Sequence, residues 1–186
     1  FARTRAIQGN VAFSQGDAMD LPFDDSSFDI ATMALVIFFV PDPAKGVAEM
    51  SRVVRPGGTV AAYAWDMLRN GFPFEAIFDE MRALGVDPGG PPSAGISRME
   101  AMLELWTHAG YEAVETKEIV VQRSFEDFDD FWSSIAGGPV ALQVSRLSDQ
   151  DLEVLKDRVR ARLPTSANGR ICYSARANAA KGILPS

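Results

Sequence analysis

Gly16-Asp17-Ala18-Met19 places a carboxylate directly after a glycine turn. An aspartate there can accept a hydrogen bond from an exocyclic amine such as that of adenine, while the amides of Ala18 and Met19 can donate to ring nitrogens. Aromatic side chains form a second group: Phe38, Phe39, Trp65 and Phe72 follow apolar runs or lie in the segment after them. Aromatic faces attract cations, and an apolar molecule needs an apolar wall. Asp66 and Glu75 could take a proton from a reacting oxygen or nitrogen, but nothing in the sequence separates them from surface acids, so no catalytic residue is assigned.

The other reactive residue types read as structural. His108, the single histidine, falls two residues before Gly110 at an expected helix end, where the dipole favours it. One histidine and one cysteine make no metal site, and Cys172 is expected to fill core space. Asp24-Asp25 and Asp129-Asp130 are adjacent acids, which do not converge on one reacting atom and read as turn and surface groups.

Asn10 to Ser14 alternates Val11 and Phe13 with polar residues and predicts a short strand that Gly16-Asp17 ends. Phe28 to Val40 then reads as a strand, its continuous apolarity being that of a parallel strand covered on both faces. Asp42-Pro43 predicts a helix start, since the aspartate can cap free amides and proline fits the first helical position. Val47, Met50, Val53 and Val54 continue that helix, Gly57-Gly58 is expected to stop it, and Thr59 to Trp65 is the next strand. The order strand, strand, helix, strand belongs to a doubly wound α/β sheet, with Asp17 and Trp65-Asp66 at its carboxyl edge, where such sheets bind ligands.

Asp66 to Gly95 reads as an insertion overhanging that edge, with Phe74, Ile77, Phe78, Met81 and Leu84 on one helix face, then a Pro/Gly-rich loop. Ser97-Arg98-Met99-Glu100 is a capping-box pattern before a helix that buries Met99, Met102, Leu103 and Trp106. A strand over Tyr111 to Arg123, an aromatic-rich helix from Ser124 and a helix from about Ser148 to Leu163 follow. Ile171 to Arg176 alternates as an antiparallel strand with one polar face.

The motifs together resemble a class I S-adenosylmethionine-dependent methyltransferase of the small-molecule type. They are Gly16-Asp17-Ala18-Met19-Asp20-Leu21-Pro22-Phe23, then Ser27-Phe28-Asp29 opening an apolar run, then Arg55-Pro56-Gly57-Gly58 before a strand. The resemblance is specific over residues 1 to about 66 and looser beyond. It implies a Rossmann-like sheet, mostly parallel with an antiparallel C-terminal strand, in the family's strand order 3-2-1-4-5-7-6, with the chain starting just before strand 3. It also implies S-adenosyl-L-methionine as cofactor and S-adenosylhomocysteine as product. The implied cofactor residues are Asp17, Ala18, Met19, Met33, Ala34 and Leu35; the implied acceptor pocket is Phe38, Phe39, Trp65, Asp66 and Phe72. Many members carry histidines where Phe38-Phe39 stand, so no proton-transfer role is carried over there.

The family's glycine-rich loop and its first two strands have no counterpart in the chain, which holds no Gly-x-Gly. They are expected upstream of Phe1, because without them the family's fourth strand would present a long apolar edge open to pairing, including homodimerisation. The expected organisation is a cofactor-binding core over 1–66, an inserted lid and helix region over 67–110, and strands and helices completing the sheet and acceptor side over 111–186. Methyl transfer to a small-molecule acceptor by in-line displacement is the leading function. The alternatives are a non-catalytic methyltransferase-like interaction or dimerisation module, or an inactive truncated fragment.

Composition fits one domain with a sizeable core: 186 residues, 47% apolar. Eighteen basic against 25 acidic residues give a net charge of −7, which argues against a nucleic-acid partner, and Lys156 to Arg162 reads as a solvated helix face. The longest apolar run, Met33 to Val40, falls far short of the roughly 20 residues that span a bilayer. With no signal region and a lone cysteine, a cytoplasmic protein without membrane association is expected.

Overall fold

The computed structural model describes residues 11–136 and 138–186. Among them, four strands form one sheet: β1 (Phe28–Ala34), β2 (Val54–Trp65), β3 (Glu112–Phe125) and β4 (Ile171–Ile183), in the order β1-β2-β4-β3. β1 pairs parallel with β2, whereas β4 lies antiparallel to both β2 and β3. β4 alone therefore runs against the other three. This is the mixed Rossmann-like order that the motifs implied.

Residues 11–14 join no strand, and Asn10 lies outside the described residues. A strand exists only through its ladder, and among the described residues β1 pairs with β2 alone. Among the described residues only Met33 is buried along β1, and Ile30 is 59% exposed.

Helix α1 (Pro43–Val53) follows the predicted start, with Asp42 Oδ1 accepting from the Lys45 amide at 3.0 Å. It ends differently from expectation. Val54 is already extended, β2 begins there, and the register jumps from Phe28↔Val54 to Ile30↔Thr59. Gly57-Gly58 thus sit in a bulge within the strand, where Gly57 takes φ +75°, and do not stop the helix.

α3 (Met99–His108) begins one residue after Arg98, and no side chain caps it. Ser97, the expected cap, is fully buried; its Oγ donates to the Ala94 carbonyl and accepts from the Met67 amide at 3.1 Å. Met102 and Trp106 are buried as expected, while Leu103 is exposed. The Trp106 indole donates to the Val60 carbonyl at 3.1 Å, joining α3 to the sheet.

Two cores result. The first packs α1 and α3 against the sheet through Val47, Met50, Val53, Val60, Met102 and Trp106. The second gathers α2 (Glu75–Ala83), α4 (Phe128–Ser133), α5 (Pro139–Val144) and α6 (Asp149–Arg162) around Phe125, Phe131, Leu155 and Ile171. The segment 67–110, expected as one lid and helix region, is divided, with α2 in the second core and α3 in the first.

Three local expectations change. β3 continues through Phe125, so the helix expected from Ser124 starts at Phe128, capped by Asp127. β4 extends past Arg176 to Ile183 through Ala177, Asn178, Ala179, Ala180 and Gly182, residues of low strand propensity recruited by pairing on both sides. Cys172 is exposed rather than core, with Sγ 3.0 Å from Ser124 Oγ. No helix among the described residues is long and apolar enough to cross a membrane.

Candidate functional site

β1 ends in a backbone switch. Leu35 takes φ +57°, a left-handed conformation that costs a branched residue about 1–2 kcal/mol, while its amide donates to the Tyr63 carbonyl at 2.9 Å. The chain turns there into a single 3-10 turn, Ile37–Phe39, so the strand expected to reach Val40 stops at Ala34. Phe38 is buried and Phe39 exposed, their rings edge to face at 4.6 Å. The Ser93 amide donates to the Phe38 carbonyl at 3.0 Å and the Ser93 hydroxyl to the Val40 carbonyl at 2.7 Å. These two bonds draw the Pro/Gly-rich loop over the end of β1.

β2 ends at Trp65, and the next residue corrects an expectation. Asp66 is 2% exposed and does not line the cavity; its Oδ2 accepts from Arg176 Nη2 at 3.2 Å. Arg176 also donates to the Arg69 carbonyl at 2.6 Å, and its Nε stands 3.5 Å from Glu118 Oε2, an ion pair without a hydrogen bond. Backbone bonds close the same knot: the Asp66 amide to the Arg176 carbonyl, the Arg176 amide to the Gly71 carbonyl and the Gly71 amide to the Asp66 carbonyl. A buried carboxylate is tolerable only with such a partner, so the neighbour that the sequence hides, Arg176, turns Asp66 into a brace for the loop between Trp65 and Phe72.

Between the two cores lies a cavity of about 320 Å³. Leu35, Phe38, Phe39, Trp65 and Phe72 all stand on its wall, joined by Phe74 and Phe78 from the second core. Its cover is the loop Pro88–Pro91 and the segment reaching Gln143 on α5. Among the described residues no charged side chain lines it, and the polar ones are Ser134 and Gln143. The Ser134 hydroxyl is spent on the Phe131 carbonyl at 2.6 Å. Gln143 escaped the sequence reading because α5 is too short to show periodicity; its available signals were the Gly138-Pro139 start and the apolar Val140, Ala141, Leu142 and Val144.

Met33 is buried in the first core and Ala34 is exposed, so neither joins the cavity wall. Asp17 forms a tight turn in which its Oδ1 accepts the Met19 amide at 2.9 Å and its carbonyl accepts the Asp20 amide at 3.1 Å. The Met19 amide, expected to be open to a ligand ring, is therefore engaged by Asp17 itself. The Ala18 amide and Asp17 Oδ2 have no hydrogen-bond partner among the described residues, which leaves a free donor and a free acceptor on neighbouring residues.

α1 holds this loop in place. Glu49 Oε2 accepts the Leu21 amide at 2.8 Å, and Arg52 donates to the Leu21 and Phe23 carbonyls at 2.9 and 2.8 Å and to Asp25 Oδ1 at 2.7 Å. The Arg52 guanidinium, and after it the Leu21 amide, hold the Glu49 carboxyl down at about 2. Neither residue was singled out from the sequence, where both read as ordinary helix-surface charges.

A sheet of this order, with an acidic turn ahead of β1 and an aromatic cavity at the carboxyl ends of β1 and β2, has the Rossmann-like fold of solved methyltransferases. Residues 1–62 match the model of the methyltransferase-domain family. The chain is similar to the ubiquinone/menaquinone biosynthesis C-methyltransferase UbiE of Idiomarina loihiensis, 48% identical over 58 residues, which are 31% of this chain and 23% of that protein. It is also similar to the demethylmenaquinone methyltransferase of Staphylococcus aureus, 41% identical over 79 residues, 42% of this chain and 31% of that one. Each match thus spans under a third of these curated relatives' length. The YcgJ protein of Bacillus subtilis shares the fold, with a TM-score of 0.57 at 22% identity over 96% of this chain and 73% of that one.

Proposed function

We propose that the protein transfers the methyl group of S-adenosylmethionine to a small, neutral, largely apolar acceptor held in the aromatic cavity, leaving S-adenosylhomocysteine and releasing to solvent the proton that the acceptor atom gives up. The observation that carries this reading is the position of Leu35. It closes the stretch Met33-Ala34-Leu35 and also forms part of the cavity wall, so a donor lying along that stretch and an acceptor in the cavity would share one boundary.

S-adenosylmethionine supplies a methyl already activated on sulfur, so the protein's part is alignment and the exclusion of water. Asp17 Oδ2 and the Ala18 amide would hold the adenine edge, on a loop fixed by Glu49 and Arg52. Phe38, Phe39, Trp65 and Phe72 would keep water out and set the acceptor in line with the methyl. A wall without charge disfavours an ionic acceptor, which would be desolvated without a partner. Asp66 is engaged by Arg176 and Glu75 is paired with Arg82 away from the wall, so neither is given the role of base.

The named relatives belong to quinone biosynthesis, and an aromatic wall suits a flat ring of that kind. The cavity, however, draws residues from Leu35 to Gln143, well beyond the lengths those matches cover, and its volume is near the lower end for ligand pockets. The acceptor is accordingly placed only as a compact apolar molecule.

Calorimetric titration of the intact protein with S-adenosylhomocysteine tests the reading. Saturable micromolar binding, weakened about tenfold by Asp17→Ala through loss of a hydrogen bond to the adenine amine, supports it. Absence of binding, or binding indifferent to Asp17→Ala, overturns it.

A further inference from the structure

Among the described wall residues, Gln143 alone carries a buried side-chain polar atom with no hydrogen-bond partner. The Ser134 hydroxyl is satisfied by the Phe131 carbonyl, and the aromatic residues carry no partner for an amide group apart from the Trp65 indole. Gln143 Oε1 is buried with no hydrogen-bond partner, and its Nε2 also makes no hydrogen bond among the described residues. A Cβ built on Gly89 would stand 4.0 Å from that Nε2, which places the carboxamide beside the Pro88–Pro91 cover. Such a group weakens the fold unless something completes it, because a buried amide oxygen gives up its water on folding.

We infer that Gln143 is the specificity-determining contact for the acceptor, recognising a hydroxyl on an otherwise apolar ring. This rests on reading the cavity as the acceptor site. No protein partner fixes which end of the carboxamide faces the cavity, so Gln143 can offer either its NH₂ donor or its carbonyl acceptor. A hydroxyl is the neutral group that answers both, donating one hydrogen and accepting another. A ketone or ether would answer only the donor, and an alkyl group neither. The six aromatic rings of the wall supply dispersion and area, and the Trp65 indole N–H can only donate, so among the described wall side chains a contact that both donates and accepts falls to this amide.

The test titrates two probes of matched shape, 1-naphthol and 1-methylnaphthalene, into the 186-residue chain, following tryptophan fluorescence. The wild type is expected to bind 1-naphthol about tenfold more tightly than 1-methylnaphthalene, against the order that hydrophobicity alone would give. Gln143→Leu should abolish that preference by weakening 1-naphthol while leaving 1-methylnaphthalene binding intact, and should unfold at the same temperature as the wild type or a higher one. Gln143→Met provides a second apolar variant of similar length. Equal binding of the two probes by the wild type overturns the inference. So does a preference that survives both variants, or a fall in unfolding temperature for both, which would assign Gln143 a structural partner. S-adenosylhomocysteine titration is the separate control: hydroxyl preference without cofactor binding would retain Gln143 as a binding determinant and overturn the methyl-transfer reading alone.

Discussion

Glu49 and Arg52, one turn apart on α1, are joined by two parallel hydrogen bonds, Arg52 Nε to Glu49 Oε1 and Arg52 Nη2 to Glu49 Oε2, each 2.8 Å long. The pair spends its remaining bonding capacity on the loop that carries Asp17, through the Leu21 amide and the carbonyls of Leu21 and Phe23. A planar fork can serve both carbonyls and the carboxylate at once, whereas an ammonium cannot. Arg52→Lys should therefore behave almost like Arg52→Ala. In both, amide hydrogen exchange at Leu21 should speed up while that of the β2 interior stays unchanged. Full protection of the Leu21 amide in Arg52→Lys would show that charge alone holds the loop.

The same pair sets an acid limit. The folded value of Glu49, about 2, lies below its ordinary 4.5, so the ionised form is favoured by folding. Its contribution is complete above about pH 4.5 and is lost as the pH falls through about 2. Titration of the Glu49 side-chain carbon by NMR should show a midpoint near 2, moving up toward 4.5 in Arg52→Ala. A wild-type midpoint at the ordinary value would contradict the lock.

Gly71 packs against the Asp66–Arg176 knot so closely that a Cβ would lie 2.6 Å from the Arg176 carbonyl oxygen, 2.7 Å from Asp66 Cβ and 2.9 Å from the Asp66 carbonyl oxygen. None of these atoms is the free end of a flexible side chain, so relief requires the backbone to move. Gly71→Ala should cost about 1–3 kcal/mol in urea unfolding and reduce 1-naphthol binding, because Trp65 and Phe72 flank the displaced loop. Wild-type stability in this variant would mean that the loop is not braced as described.

Leu35 supplies a ranking that side-chain size alone would reverse. At φ +57°, glycine carries no penalty and a β-branched residue the greatest. Leu35→Val should accordingly be less stable than Leu35→Gly by about 1 kcal/mol, although valine retains more apolar surface. Comparison of denaturation midpoints decides it, and the opposite ranking would place Leu35 outside the left-handed region in solution.

The sequence alone determined most of the framework, because hydrophobic period and end signals act locally. Asp42-Pro43 opened α1 where expected, Ser148 capped α6, and β2, β3 and the first half of β4 include the stretches predicted as strands. The family resemblance implied the sheet order, and Phe38, Phe39, Trp65 and Phe72 stand together on the cavity wall. What tertiary structure decided depends on partners distant in sequence. Asp66 became a brace because Arg176 arrives beside it on β4, and Ser97 became a tie for Met67 instead of a helix cap. Small residues from Ala177 to Gly182 became strand because neighbours pair with both their edges. Asp17 lay in plain view as a polar turn residue, yet that it engages the Met19 amide and stands on a loop clamped by Glu49 and Arg52 was settled only by the folded geometry. Periodicity reports which face of an element is apolar; it carries no information about which polar group from another element will share the buried space, and that pairing is what makes a site.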